Sequence, residues 1–156
     1  MKYQRILVPF DGSDHACSAF TTARSIAIAS PDVEIFVVNV ISMNVASSFS
    51  QTSDPSLDRT GFDQGYAAMV DDALHNITQE IEEVIEPLYD GLPAERVHIE
   101  AITYSSPVHG LIEYANDHSC DLIVMGRRGL SALRGMLGSV SYGILHNTDI
   151  PVLTVK

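Results

Sequence analysis

Short apolar segments alternate along this chain with longer segments whose composition suits helices, and this alternation limits the fold more than any other feature. Strands are predicted at 6–10, 33–40, 97–104, 122–125 and 151–155. Helices are predicted at 16–29, at 66–88, from 107 onward and at 139–146. A strand and helix order that repeats and ends on a strand predicts a parallel sheet with right-handed crossovers and helices on both faces.

The length of the chain suits one domain. Its 156 residues contain no long divider rich in proline, glycine or serine, so we predict a single domain over residues 1–156. The predicted fold class is α/β, with a single open five-stranded parallel sheet of the flavodoxin or Rossmann-like kind and the strand order 3-2-1-4-5. Residues 42–65 are polar and show no clear period, which predicts a flexible loop.

The charge balance is strongly acidic. Twenty Asp and Glu oppose nine Lys and Arg, and the formal charge of -11 disfavours nonspecific binding to nucleic acid or anionic lipid. No apolar stretch reaches the roughly 18 residues of a membrane span, and the first apolar run is too short for a signal peptide. We therefore expect a cytoplasmic protein with no membrane insertion and no nucleic-acid partner.

The cysteines and histidines lack the spacing of a metal site. Cys17 and Cys120 are far apart in the sequence, and we expect both to be packed thiols. The six histidines show no paired spacing near carboxylates. The sequence therefore predicts no metal held by protein side chains, and it singles out no catalytic residue.

Polar segments that contain glycine follow the first and the fourth predicted strands. The first segment is Pro9-Phe10-Asp11-Gly12, and the second runs from Met125 to Gly129. In open parallel sheets, ligands bind beyond the carboxyl ends of the strands at the point where the strand order reverses. In the predicted order this point lies between strands one and four, so the two segments are expected to meet at one crevice.

Main-chain features of the second segment suggest an anion site. Gly126 and Gly129 permit a close approach of the main chain to a ligand and allow positive φ. Gly138 and Ser139 stand at the start of a predicted helix, whose exposed N–H groups favour phosphate. Together these features predict a cradle for phosphate, although the glycines could simply turn the chain and Ser139 could simply cap the helix.

Side chains near the same crevice add hydrogen-bonding capacity. Ser139 and Ser141 would offer hydroxyl donors, and Arg127 or Arg128 would offer charge-assisted bonds, unless the arginines are solvated surface charge. Asp11 could accept hydrogen bonds from a ribose or a base, or it could cap the first helix. The residues alone leave these alternatives open.

Several segments resemble the universal stress protein family. They are Ile6 to Ser13, Asp121 to Gly129 and Leu137 to Val140, and Pro151 to Val155 resembles the terminal strand of that family. The resemblance covers nearly the whole chain, its element order and three separate motifs. It implies a flavodoxin-like fold and places the chain with the branch of the family that binds ATP.

The glycine motif departs from the family pattern by one residue. The ATP-binding branch has a glycine, two residues, a second glycine, nine residues and then Gly-Ser or Gly-Thr. Here only eight residues separate Gly129 from Gly138. Gly135 lies within this shorter connection, where it could ease a tighter path. A second departure is Ser106 before Pro107, where relatives often have glycine.

The resemblance also implies roles for individual residues. Asp11, Pro9 and Val40 would serve the adenosine end, with Val40 offering main-chain bonds at the end of strand two. Gly126 and Gly129 would lie along the ribose and phosphates. The complete set of implied binding residues is Pro9, Asp11, Val40, Met125, Gly126, Arg128, Gly129, Gly138, Ser139, Val140 and Ser141. The family also pairs into homodimers through its last strand, here 151–155.

The resemblance implies a homodimeric stress-response regulator that binds ATP, or else AMP or ADP. Magnesium would enter with the nucleotide, and the regulator would act on an unknown protein partner. Slow ATP hydrolysis or autophosphorylation is one alternative, although the chain has no Gly-Lys pair of a phosphate-binding loop. A partner-binding protein without nucleotide is another. A response regulator is disfavoured because Tyr104-Ser105-Ser106 ends the third strand without an acceptor aspartate. A flavin carrier is disfavoured by the absence of tryptophan.

Overall fold

A computed structural model of the chain describes residues 3–42, 59–130 and 137–156, and at 59–64 and 66 it describes the backbone only. The strands are β1 (Arg5–Pro9), β2 (Glu34–Ser42), β3 (Val97–Tyr104), β4 (Leu122–Gly126) and β5 (Val152–Val155). The helices are α1 (Asp14–Ile28), α2 (Arg59–Ile85), α3 (Pro107–Asp117) and α4 (Ser139–Asn147). Short 3-10 helices occur at Glu86–Leu88 and Ala94–Arg96.

The strands form one parallel sheet in the order β3-β2-β1-β4-β5. This confirms the predicted fold class and strand order. The order reverses between β1 and β4, where Ile6 pairs with Leu122 and Leu7 with Ile123. Because all five strands are parallel, their carboxyl ends open onto the same edge of the sheet.

Successive residues of the central strands supply two apolar cores. On one face, Ile6 and Val8 pack with Phe20 of α1 and Ile81 of α2. On the other face, Leu7 packs in a second core that includes Leu111 and Tyr114 of α3 and Ile144 of α4. Because side chains alternate along a strand, the continuous apolar runs of β1 and β4 supply both faces at once.

Local sequence signals set two of the helix starts. Ser13 is the N-cap of α1, and its Oγ accepts a hydrogen bond from the N–H of Ala16 at 3.2 Å. Pro107 occupies the first turn of α3, where its missing N–H costs nothing, and Ser106 is the N-cap residue.

Within the described parts of the chain, no helix has the length and apolar character that crossing a bilayer requires.

The second helix begins earlier than the sequence predicts. It starts at Arg59 rather than Tyr66, so the predicted loop at 42–65 is wrong for 59–65, and the part at 43–58 lies outside the described residues. Ser42, the first residue of the predicted loop, is the last residue of β2. Gly61 and Gly65 obscure the helical period in the sequence. The helix nevertheless extends through them, because each residue added to a helix that packing has nucleated gains one hydrogen bond.

Replacement of the buried Ile123 by alanine should lower the free energy of unfolding by about 3 kcal/mol, because it leaves a cavity at the centre of β4. Urea denaturation followed by circular dichroism measures this change. Val84→Ala is the control, since Val84 is 46% exposed and its loss should cost much less. Equal costs for the two variants would contradict the placement of β4 in the sheet interior.

Candidate functional site

A cavity of about 560 Å³ opens at the carboxyl ends of the central strands. It is bounded by the turn after β1, the end of β2, the turn after β4 and the first turn of α4. The structure brings all of the sequence-predicted binding residues to its wall. They are Pro9, Asp11, Val40, Met125, Gly126, Arg128, Gly129, Gly138, Ser139, Val140 and Ser141.

The Asp11 carboxylate connects the turns that follow β1 and β4. Its Oδ1 accepts the N–H of Ser13 at 3.1 Å, and its Oδ2 accepts the N–H of Leu130 at 3.2 Å. It therefore does not cap α1 directly, since Ser13 does so. The carboxylate fixes the distance between the two turns and stands at the rim of the cavity.

Close packing surrounds the two glycines of the turn after β4, against the main chain at Gly126 and against a side chain at Gly129. A Cβ on Gly126 would stand 2.7 Å from Cβ of His15 and 2.9 Å from the main-chain carbonyl carbon of His15. A Cβ on Gly129 would collide with Oδ2 of Asp11, so that carboxylate would have to move. Neither glycine uses the positive φ that the residue type allows; in the turn after β1, Gly12 has a φ of 79°.

Gly138 differs from these two glycines because the described residues around it leave room for a Cβ. Its φ of -64° and ψ of 152° suit any residue, and an added Cβ would lie 3.5 Å or more from the nearest atoms. It is the N-cap of α4, without a side-chain cap, so Ser139 is the first helical residue and not the cap. Its N–H donates to the carbonyl of Arg127 at 3.0 Å, which closes the connection from β4.

The first turn of α4 presents main-chain donors to the cavity. The first intrahelical bond runs from the N–H of Tyr142 to the carbonyl of Gly138 at 2.8 Å. The N–H groups of Ser139, Val140 and Ser141 precede that bond and belong to the helix end that attracts anions. Because these three residues line the cavity, the helix end can serve a bound phosphate.

The hydroxyl groups at this helix end are not equivalent. Ser141 is 6% exposed, and its Oγ donates to the carbonyl of Gly126 at 2.9 Å. Its proton is therefore used to tie α4 to β4, so the hydroxyl can act towards a ligand only as an acceptor. Ser139 is exposed, which leaves its hydroxyl on the accessible side of the cavity.

The arginines that follow β4 also differ. Arg128 lines the cavity, and its buried Nε has no hydrogen-bond partner among the described residues. The main-chain N–H of Arg127 donates to the carbonyl of Val155 at 2.7 Å, which holds the end of β4 against β5. The described lining of the cavity does not include Arg127. Arg128 is therefore the cation placed to meet an anionic ligand.

The end of β2 has main-chain groups that none of the described residues pairs with. The last bond between β1 and β2 runs from the N–H of Phe10 to the carbonyl of Val38 at 2.9 Å. Alternate residues of a strand direct their N–H and C=O groups to the same side, so Val40 faces the side where β1 has already ended. The main chain of Val40 is therefore directed towards the cavity that it lines.

Sequence reasoning missed several lining residues. These are Phe10, Ala16, Val38, Asn39, Pro107, Leu111, Leu130 and Leu137. Most of them are apolar and carry no chemical signal. Val38 shares the strand face of Val40, which is a signal that could have identified it, and Asn39 is a polar residue within the apolar run from Ile35 to Ile41.

Neither a thiol nor a metal cluster adds reactivity near this site. Burial raises the pKa of the Cys17 thiol, and the carboxylates of Asp14 and Asp11 raise it further, so the group stays protonated at neutral pH. Burial also raises the pKa of Cys120, to about 11. Across residues 3–42, 59–130 and 137–156, no three His, Cys, Asp or Glu side chains are grouped to hold a metal.

Comparison with known proteins identifies the family. The model of the universal stress protein family matches residues 2–156. The universal stress protein YxiE of Bacillus subtilis is 27% identical over 156 residues, covering 99% of each chain. The structure of UspA from Lactobacillus plantarum gives a TM-score of 0.64 at 26% identity, covering 100% of this chain and 99% of that one.

A structure of a universal stress protein in complex with cAMP gives a TM-score of 0.62 at 25% identity, covering 99% of this chain and 98% of that one. The family match extends over almost the entire sequence, and the structural likeness covers the whole sheet. The chain therefore belongs to the universal stress protein family.

Gly126→Ala should lower the free energy of unfolding by about 1–3 kcal/mol, because the added Cβ meets main-chain atoms of His15 that cannot easily move. Gly138→Ala should cost less than about 1 kcal/mol, the usual preference for glycine over alanine at an N-cap. Thermal and urea unfolding of both variants measure the difference. A larger loss in Gly138→Ala than in Gly126→Ala would contradict the packing described for the β4 turn.

Proposed function

We propose that this member of the universal stress protein family binds an adenine nucleotide in the 560 Å³ cavity as a regulatory ligand. The ligand is ATP, or its mono- or diphosphate form. The observation that carries the proposal is that a helix N-terminus with three available N–H groups opens onto the same cavity as the apolar end of β2. A nucleotide needs both of these surfaces at once.

The adenosine end is assigned to the side of the cavity near β1 and β2. Pro9, Val40 and Met125 form an apolar wall against which a purine could pack. The main-chain groups of Val40 would bond the edge of the base, and the Asp11 carboxylate would accept hydrogen bonds from ribose hydroxyls. The Asp11 carboxylate would then either replace its hydrogen bond from the N–H of Leu130 with one from the ligand, or accept both.

The phosphate end is assigned to the first turn of α4. The N–H groups of Ser139, Val140 and Ser141 would donate to phosphate oxygens, and Arg128 would balance part of the charge. Gly126 and Gly129 would lie along the ribose and the phosphates, while Gly138 leaves room for phosphate to approach the main chain. Magnesium would enter on the phosphates, since the described residues hold no cluster of metal ligands.

A related structure supports the class of ligand. A universal stress protein that is 25% identical to this chain was solved in complex with cAMP, an adenine nucleotide. Hydrolysis is not proposed, because the cavity lining includes Asp11 as its one carboxylate and no lysine or histidine among the described residues. A regulatory ligand is the role that fits a site built to bind rather than to transfer protons.

Isothermal titration calorimetry with AMP, ADP and ATP tests the proposal. The wild-type chain should bind at least one of these nucleotides with one site per chain. Gly138→Val should weaken that binding at least about tenfold, because its methyl groups occupy the path of the phosphate. Gly65→Val is the matched control, since Gly65 is an exposed residue of α2 outside the cavity lining, and no described atom lies within 4 Å of a Cβ added there.

Three results would decide against this account. Flat titrations of the wild-type chain with all three nucleotides would support a partner-binding protein without nucleotide. Unchanged affinity in a folded Gly138→Val protein would mean that the phosphate site is misplaced. An equal loss in Gly65→Val would mean that the effect is not local to the cavity.

We also propose that the protein forms a homodimer through β5. The carbonyls of Pro151 and Val155 accept bonds from Ile123 and Arg127 on the β4 side. Because alternate residues face opposite sides, Val152 and Thr154 direct their N–H and C=O groups to the open edge of the sheet. β5 is an edge strand of the described sheet, and an edge strand is a template for pairing with a second chain.

Thr154→Pro should convert the dimer to a monomer, because proline removes the N–H that points to the open edge and leaves the β4 ladder intact. Thr154→Val retains the N–H and is the matched control. Sedimentation velocity measures the mass against the 17.0 kDa of one chain. A monomeric wild-type protein, or a Thr154→Pro variant that remains dimeric, would contradict pairing through this edge.

A further inference from the structure

Asn39 is a polar residue in the apolar run of β2 from Ile35 to Val40. Its side chain lies on the same face of the sheet as that of Val37, which packs in the core beneath α1. A side-chain amide in such a place costs free energy unless it is hydrogen-bonded. Its bonding partner therefore indicates why the residue is tolerated there.

The Asn39 amide bonds the carbonyl that continues β1. Its Nδ2 donates to the carbonyl oxygen of Phe10 at 2.7 Å, and the N–H of Phe10 donates to the carbonyl of Val38 at 2.9 Å. Residues of β2 thus bond both main-chain groups of Phe10: the main chain of Val38 accepts from its N–H, and the side chain of Asn39 donates to its carbonyl. Phe10 itself is 4% exposed, so its position is further fixed by packing.

A regular parallel ladder would use that carbonyl differently. After the bond between Phe10 and Val38, the next bond of the ladder would run from the N–H of Val40 to the carbonyl of Phe10. Among the described residues this bond is not formed, and the Asn39 amide has taken the carbonyl instead. The N–H of Val40 is thereby left directed at the cavity that Val40 lines.

We propose that Asn39 is a positioning residue for the base of the nucleotide. Its amide holds the carbonyl of Phe10 in a bond that competes with the next ladder bond between β1 and β2, and so keeps the N–H of Val40 available to the ligand. The proposal rests on the proposed nucleotide function. Asn39 acts through Phe10 and Val40 and does not itself need to touch the nucleotide.

Titrations of an Asn39→Leu variant with AMP and with ribose 5-phosphate test this role. Leucine removes the amide at similar volume, so the N–H of Val40 becomes free to bond the carbonyl of Phe10. Binding of AMP should weaken about threefold to tenfold, the range that corresponds to the net value of one hydrogen bond. Ribose 5-phosphate, which lacks the base, should bind within about twofold of its wild-type affinity.

Two further variants separate positioning from general structural damage. Asn147→Leu is the matched control, because it removes a similar bond, from Nδ2 to the carbonyl of Gly143 at 2.7 Å, on the far end of α4. Its AMP affinity should match wild type. Asn39→His should restore most of the affinity, because imidazole Nδ1 takes the place of Nδ2 and can donate when protonated at that atom.

Amide hydrogen exchange gives a readout that does not depend on a ligand. In the free Asn39→Leu protein, the N–H of Val40 should exchange more slowly than in wild type, since it gains the carbonyl of Phe10 as a partner. Faster or unchanged exchange there would overturn the proposal. So would wild-type AMP affinity in Asn39→Leu, or an equal loss for ribose 5-phosphate. If the wild-type chain bound no nucleotide, the proposed function would fail, while the exchange result would still judge the role of Asn39 in the ladder.

Discussion

The close approach of the turns after β1 and β4 is the constraint on which the site depends. Asp11 accepts the N–H of Leu130, and its carboxylate lies so close to Gly129 that a Cβ would collide with it. Gly126 is similarly pressed against His15 at the start of α1. These contacts fix the turns relative to each other, and the bond from Ser141 to Gly126 then fixes α4 relative to β4. The cavity is the space that remains between elements held in this way.

The two ends of the cavity follow from general properties of parallel sheets. Strands of unequal length leave main-chain groups unpaired, as Val40 shows where β1 has ended before β2. A helix that starts beside the same edge leaves its first N–H groups unpaired, as α4 does at Ser139. Unpaired donors at both ends of an apolar space suit a ligand with a polar flat base and an anionic tail.

Much of the fold could be predicted because hydrophobic alternation is a local signal. Continuous apolar runs such as Leu122 to Met125 predict buried parallel strands, and the carboxyl ends of such strands share one edge whatever their loops do. The predicted binding residues therefore came together around one cavity.

The predicted start of α2 was wrong because extension of a helix that is already packed overrides the local effect of Gly61 and Gly65. The sequence could not show which property of glycine is used at Gly126 and Gly129; the structure shows close packing rather than positive φ. The contacts of Asn39, Leu130 and Ser141 join residues distant in sequence, so no local pattern could predict them.

The central claim is that one nucleotide bridges the end of β2 and the start of α4. The most direct measurement is a titration of the ¹⁵N-labelled protein with AMP, followed by two-dimensional ¹H–¹⁵N NMR. The account predicts saturable shifts of the N–H signals of Val40, Gly129, Ser139 and Val140 at a common dissociation constant, with little change along the exposed part of α2. Absence of shifts at these four signals, or saturable shifts at only one of the two ends, would contradict it.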